Sequence, residues 1–202
     1  MFGMSDSVSQ PLNADDRTNI GDLQDYLEAL RGETPPDSAL EQIEQYDDKI
    51  RYFSQLTFTR RGVRVDANFL RALIAAESAG NPYAISDQNA YGLSQITLET
   101  GREAARELYD LQYDFNYIDR ERLKDLDRDD LFDPAINILI AAYLVDRYNY
   151  RFNNNLALTV SAWNAGPGAV TRFEGYPPYH ETMTLIARVE TYYLFFRQHY
   201  PY

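Results

Sequence analysis

The chain has 202 residues, which is enough for one ordinary domain with or without an appendage. It contains no Cys and only 2 His, which excludes disulfide scaffolds, thiol nucleophiles and Cys/His zinc sites. The net charge is −12, and residues 1–50 alone hold 12 acidic against 3 basic side chains. Binding to a nucleic-acid backbone or an anionic membrane surface requires a basic patch, and none is visible in the sequence. We therefore expect neither nucleic acid nor a membrane surface as a partner.

The first 50 residues are predicted to form an acidic arm and helix that precede a larger domain over residues 51–202. Four apolar residues at helical spacing predict one short helix in the arm: Leu23, Tyr26, Leu27 and Leu30. A second helix is predicted to begin at Ser38, because Ser38 and Glu41 have the spacing of a capping box. The apolar stripe that should dock this helix on the larger domain is Leu40, Ile43, Ile50 and Phe53. Residues 1 to about 36 are expected to be mobile, or ordered only against a partner.

The larger domain alternates predicted helices with turn-forming segments. The predicted helices run from Asp66 to about Ser78, over residues 92–109, from Asp133-Pro134 to about residue 152, from about Leu156 to Gly166, and from about Glu181 to His199. The polar and acidic segment 112–131 is typical of a surface excursion. Alternating strand patterns are rare, so we predict a mainly α fold. The longest nearly apolar stretch, Ala135–Val145, is too short to span a bilayer.

Glu77 is a carboxyl group on an apolar helix face. It follows Leu70 by seven residues, Leu73 by four and Ile74 by three, which places all four on one side of a helix. A charge there is costly unless an Arg pairs with it or the carboxyl takes part in catalysis. An ion pair with an Arg is the structural alternative. Burial would raise the pKa of Glu77 and keep the carboxyl protonated near neutral pH, as a general acid requires. No P-loop, G-x-S-x-G or H-E-x-x-H motif is present, and the remaining carboxylates, amides and aromatics are typical of glycoside chemistry.

Five sequence blocks between residues 63 and 196 occur in the order of a known family. They are Glu77-Ser78 with Asn81-Pro82; Ala90-Tyr91-Gly92-Leu93-Ser94-Gln95-Ile96; Leu131-Phe132-Asp133-Pro134 with Asn137 and Tyr143-Leu144; Ser161-Ala162-Trp163-Asn164-Ala165-Gly166; and Pro178 with Glu181-Thr182, Arg188-Val189 and Tyr192-Tyr193. Together they resemble the soluble lytic transglycosylase (SLT) domain of the lysozyme-like superfamily, whose members cleave peptidoglycan.

This resemblance implies a lysozyme-like helical fold and cleavage of the MurNAc-β-1,4-GlcNAc bond with formation of 1,6-anhydroMurNAc. Glu77 would act as acid and then as base, and no metal or other cofactor is implied. The residues implied to bind the glycan are Ser78, Tyr91, Gln95, Trp163 and Asn164. Each has a structural alternative when taken alone, such as a helix-terminal hydroxyl for Ser78, a turn amide for Asn164 and a core position for the two aromatics.

Three positions depart from the family pattern. The third position of Gly-Leu-x-Gln is commonly Met and is Ser94 here. The aromatic of Ala-Tyr-Asn is Trp163, and the Tyr expected four residues after Glu181 is Leu185. In the family, hydroxyls at the last two positions help to hold the catalytic carboxyl. Their loss affects how the pKa of Glu77 is set, and it does not change which residue is implied to be the acid.

Two other functions remain open at this point. A goose-type-lysozyme-like hydrolase would use water as the acceptor and need a second acid, for which Asp87 and Glu99 are the first candidates. A structural component of a virion or tail assembly, with weak activity, would account for the acidic residues 1–50.

The expected partners are peptidoglycan glycan strands and, through residues 1–50, virion or envelope-assembly proteins. Action in the periplasm or cell wall follows from the implied substrate. The acidic charge and the lack of a recognisable secretory signal in Met1–Gln10 favour association with a phage virion over secretion as a periplasmic enzyme.

Overall fold

The structure, a computed structural model, describes residues 23–59 and 64–201, and these residues form a mainly helical fold, as predicted. The α-helices are α1 Leu23–Ala29, α2 Asp37–Glu44, α3 Asp47–Ser54, α4 Ala67–Ser78, α5 Leu98–Asp110, α6 Pro134–Arg151, α7 Leu156–Ala165, α8 Pro167–Phe173 and α9 His180–His199. Between α4 and α5, strands β1 Ala90–Tyr91 and β2 Ile96–Thr97 pair antiparallel. Two short 3₁₀ helices, Arg120–Leu123 and Asp129–Phe132, precede α6.

Helix α6 lies at the centre of the core, with α3, α4, α5 and α7 packed around it. All residues from Ala135 to Asp146 are buried, because a helix surrounded by others needs apolar residues on every side. Its start is as predicted: Asp133 accepts a hydrogen bond from the Ala135 amide at 2.9 Å. Asp66 caps α4 in the same way. No helix within residues 23–59 and 64–201 is both long enough and apolar enough to cross a membrane.

Helix α1 packs against α9, which corrects an expectation about the N-terminal region. The Tyr26 ring meets the His180 imidazole edge-on, with 5.6 Å between ring centroids. The residues of α1, part of the segment expected to be mobile or to need a partner, therefore belong to the packed structure. Residues 1–22 lie outside the described residues. The division of the chain after residue 50 would fall within α3, and it stays a prediction.

The helix predicted from Ser38 is two helices, and the predicted capping box is wrong. The N-cap of α2 is Pro36, whose carbonyl accepts from the Ala39 amide at 2.8 Å. Ser38 is already inside the helix, so its hydroxyl does not cap it. A turn at residues 45–46 separates α2 from α3, yet the predicted stripe residues Ile43, Ile50 and Phe53 are all buried.

Residues 92–97, predicted as the first turns of a helix, instead form a turn and one strand of the β-hairpin. Gly92 has a φ of 75° and Gln95 a φ of 50°, and both values lie outside the right-handed helical region. A Cβ atom at Gly92 would lie 2.2 Å from the Leu131 carbonyl oxygen, so only glycine fits there. Helix α5 begins after the hairpin, with Thr97 as its N-cap.

The acidic segment 112–131 is only partly the surface excursion that its composition predicts. Leu123 and Leu126 of this segment are buried in the core. The Arg102 Nε of α5 donates to the Leu126 carbonyl at 2.9 Å. The segment is therefore anchored against α5 rather than projecting freely into solvent.

Candidate active site

Glu77 lies in the last turn of α4. Helix α9 packs against both α4 and α7. Helix α4 stops abruptly, because Ala79 and Gly80 adopt left-handed φ values of 51° and 77°. The three residues predicted to share the face of Glu77, namely Leu70, Leu73 and Ile74, are buried. Loss of hydration raises the pKa of Glu77 from 4.5 to about 8. The carboxyl is therefore mostly protonated at neutral pH.

The indole of Trp163 holds the Glu77 carboxyl. Its Nε1–H donates to Oε1 of Glu77 at 2.9 Å, which links α7 to α4. This hydrogen bond favours the charged form and lowers the pKa of Glu77, opposing the larger effect of burial. The indole thus supplies the donor that a Tyr hydroxyl supplies in the family pattern, whereas Leu185 is a buried core residue with no donor to offer.

Two charged residues of α9 act on Glu77 through space. The negative charge of Glu181 raises the pKa of Glu77, and the positive charge of Arg188 lowers it; both effects are smaller than that of burial. Asp87 and Glu99, the second acids considered from the sequence, are exposed and do not perturb the pKa of Glu77. No group of three or more His, Asp or Glu among the described residues is placed to hold a metal ion.

The hairpin lobe lies beside the end of α4. The Ser78 hydroxyl donates to the Leu93 carbonyl at 2.7 Å and so ties the helix end to the hairpin. The Gln95 Nε2 donates to the Gly92 carbonyl at 3.0 Å and to the Ala84 carbonyl at 3.3 Å. These bonds fix the Gln95 amide and leave its Oε1 as the atom that can accept a hydrogen bond from a ligand.

Asn137 of α6 clamps the hairpin through the hydrogen bonds of its side-chain amide. Its Nδ2 donates to the Tyr91 carbonyl at 3.0 Å and to the Leu131 carbonyl at 2.8 Å, and its Oδ1 accepts from the Ser94 amide at 2.9 Å. The side chain is fully buried, and these bonds use both donors and the acceptor of its amide. The position of Gln95 therefore depends on a residue of the central helix.

Asn164 lies on α7, and Tyr91 lies on the β-hairpin. The Thr182 hydroxyl donates to Asn164 Oδ1 at 2.5 Å, which leaves the Asn164 Nδ2 as a donor without a partner among the described residues. The half-buried ring of Tyr91 meets the Phe132 ring edge-on, with centroids 5.8 Å apart and planes at 90°. The structure thus places an oriented amide on α7 and an aromatic ring on the hairpin.

The family described as Transglycosylase SLT domain matches residues 58–186, more than half of the chain. The chain belongs to this family. Membrane-bound lytic murein transglycosylase C of Actinobacillus pleuropneumoniae is 34% identical over 124 residues, covering 57% of this chain and 30% of the relative. The crystal structure of the 70 kDa soluble lytic transglycosylase from Escherichia coli is similar with a TM-score of 0.59 and 25% identity, covering 77% of this chain and 24% of that one.

A complex of the 70 kDa soluble lytic transglycosylase with bulgecin A has the same fold, with a TM-score of 0.62 and 23% identity over 82% of this chain and 26% of that one. These comparisons confirm the predicted lysozyme-like transglycosylase fold. This chain spans less than a third of the length of each of these three proteins.

The structure of this SLT domain brings Glu77 and Trp163 into direct contact and ties Ser78 to the hairpin that carries Gln95. Their roles toward a ligand stay predictions. The effect of Glu181 on Glu77 and the contact of Thr182 with Asn164 were not predicted from the sequence. The Glu-Thr pair was visible as a family block, but only packing of α9 against α4 and α7 shows what each residue contacts.

Proposed function

We propose that this SLT domain is a peptidoglycan lytic transglycosylase that cleaves the MurNAc-β-1,4-GlcNAc bond and leaves a 1,6-anhydroMurNAc end. One observation carries the proposal: a carboxyl group whose pKa is raised to about 8 accepts a hydrogen bond from Trp163 at the end of α4. Membership of the SLT family and the murein transglycosylase names of its relatives support the same reaction.

In the first step, Glu77 acts as the general acid. Its Oε1 accepts from the Trp163 indole, so Oε2 is the oxygen free to carry the proton. Transfer of that proton to the glycosidic oxygen lets the bond between this oxygen and C1 of MurNAc break, and the GlcNAc leaves with a new hydroxyl. The cationic sugar left behind is stabilised by its own N-acetyl group, so the step needs no carboxylate nucleophile.

In the second step, the Glu77 carboxylate acts as the base. It takes the proton of the C6 hydroxyl of the same MurNAc while the C6 oxygen bonds to C1. The proton lost in the first step is thereby regained, and no water is consumed. The hydrogen bond from Trp163 and the positive charge of Arg188 both stabilise the carboxylate during its brief existence.

The two oriented amides suit an acetamido sugar. Gln95 presents an acceptor, Oε1, and Asn164 presents a donor, Nδ2, and an N-acetyl group offers one N–H and one carbonyl. The Tyr91 ring would contact an apolar sugar face. Ser78, whose hydroxyl proton is engaged by Leu93, would accept a hydrogen bond rather than donate one.

The reaction type is tested by mass spectrometry of muropeptides released from purified sacculi in heavy-oxygen water. A lytic transglycosylase should release 1,6-anhydroMurNAc ends that do not carry the heavy isotope. Labelled reducing ends would instead identify a lysozyme-like hydrolase that uses water as the acceptor. Absence of any release by the purified chain would favour the structural role in an assembly.

We also propose that the domain is delivered to the wall as part of a phage particle or envelope machine. A net charge of −12 is repelled by an anionic wall, so free diffusion is an inefficient route to the substrate. Binding of the isolated chain to sacculi should be weak at low salt and increase as salt screens the repulsion. Tight binding at low salt would contradict the proposed delivery.

A further inference from the structure

A pocket of about 620 Å³ lies beside the proposed active site, between α2 and the turn that follows α4. One wall is formed by Ser38, Gln42, Gln45 and Tyr46, and the other by the turn from Ser78 to Tyr83. Ser78 directly follows Glu77, so their Cα atoms are about 3.8 Å apart. One lining residue, Ser78, is thus the sequence neighbour of the acid, and the pocket volume is within the usual range for a ligand site, about 300–1,000 Å³.

The two walls are held in fixed positions by a close approach of backbones. A Cβ atom at Gly80 would lie 2.7 Å from the Gln42 Cβ, so α2 and the turn are in close contact at Gly80. The Tyr83 amide donates to the Asn81 side chain at 2.9 Å, which sets the turn that presents Tyr83. Tyr83 is 73% exposed, and its ring centroid lies 6.0 Å from that of Phe132, so it offers an aromatic surface at the rim.

The lining is free of charged side chains in a chain of which 25% is charged. Its polar groups are amides and hydroxyls, and Gln42 makes no side-chain hydrogen bond within the described residues. Amides and hydroxyls satisfy the hydroxyl and acetamido groups of a neutral sugar, and tyrosine rings cover its apolar face. A segment with carboxylates or amines would leave those charges without a partner in this pocket. The lining thus fits a neutral saccharide better than a charged peptide.

We propose that this pocket is a saccharide subsite for the N-acetylhexosamine strand whose scissile bond lies at Glu77, which rests on the proposed function. Helix α2 precedes the family match over residues 58–186, so the subsite uses residues outside the family domain. Helix α2 and the turn after it then add contacts to the strand.

The subsite is tested with the Glu77→Gln protein, which can bind without cleaving. β-1,4-linked N-acetylglucosamine oligomers of two to six sugars are titrated by calorimetry. Gln42→Trp is introduced into the Glu77→Gln protein to fill the pocket. It should weaken hexamer binding by about tenfold or more, an affinity loss that corresponds to one or two neutral hydrogen bonds. Dimer binding should be unchanged. Gln198→Trp, on an exposed position of α9, is the matched control and should change neither affinity.

Tyr83→Ala truncates the opposite wall at an exposed position, and it should weaken hexamer binding in the same selective way. The proposal is overturned if both pocket variants bind every oligomer like their parent, or if no oligomer gains affinity with length. Sacculus cleavage by the unsubstituted chain is a separate readout: its absence rejects the proposed function, whereas cleavage with unaltered binding in both pocket variants rejects only the subsite.

Discussion

The indole Nε1–H of Trp163 donates to Oε1 of Glu77 at 2.9 Å, across 86 positions of sequence. Within the described residues, this is the one hydrogen bond made by the Glu77 carboxyl. Burial keeps the group protonated, and the indole keeps its charged form accessible. A group that must give up a proton and take one back needs both influences, because neither protonation state can be too stable.

Replacement of the acid tests its role directly. Glu77→Gln keeps the size and an acceptor for Trp163 but cannot cycle a proton, so cleavage of sacculi should fall by roughly 10²- to 10⁴-fold. Initial rates of muropeptide release measure this. Glu181→Gln is the matched control: it removes an exposed carboxylate and should cost far less. A larger loss in the control than in Glu77→Gln would show that the acid lies on α9.

The same substitution should change the pH dependence of stability. The pKa of Glu77 is 4.5 in an unfolded chain and about 8 in the folded one, so the folded state binds more protons between these values. Wild-type unfolding free energy therefore loses a contribution as pH rises from about 4.5 to 8. Glu77→Gln does not titrate, and its melting temperature should exceed that of wild type by more at pH 8 than at pH 5. An equal difference at both pH values would contradict a raised pKa.

Removal of the indole donor should shift the activity profile. Because Glu77 must be protonated at the start, wild-type kcat/KM should fall above pH about 8. Trp163→Phe removes the hydrogen bond that lowers the pKa of Glu77, so this alkaline limb should move to higher pH. The rate should drop on the order of tenfold to a hundredfold, since the carboxylate loses a donor. Trp163→Tyr restores a donor and should recover part of the loss; identical pH limbs in wild type and Trp163→Phe would reject the indole contact as the tuning element.

The Asn137 clamp on the hairpin can be tested by substituting two buried residues, Asn137 and Ser94. Asn137→Ala leaves the Ser94 amide and the Tyr91 and Leu131 carbonyls without their partner, at about 1–3 kcal/mol for each unsatisfied group. Its unfolding free energy in urea should fall by about 3 kcal/mol or more, with loss of cleavage. Ser94→Ala removes a buried hydroxyl that has no hydrogen bond among the described residues, so stability should stay the same or rise. Similar losses in both variants would contradict the clamp.

Local chemistry made several features predictable from the sequence. Asp66 and Asp133 cap the helices they were predicted to cap, because an N-cap depends only on a side chain and the two or three amides after it. The apolar face of Glu77 followed from helical periodicity, which is also local. The order of the five blocks identified the family without any knowledge of their contacts.

Contacts between distant segments were decided only by the tertiary structure. Residues 92–97 have the composition of a helix, but Gly92 must approach the Leu131 carbonyl, and that approach requires a left-handed turn. The sequence showed Trp163 as a departure from the family pattern, and only the packing of α7 shows that its indole reaches Glu77. Helical periodicity and capping fix a residue's place on its own element, whereas its partner depends on how elements separated by many residues pack together around α6.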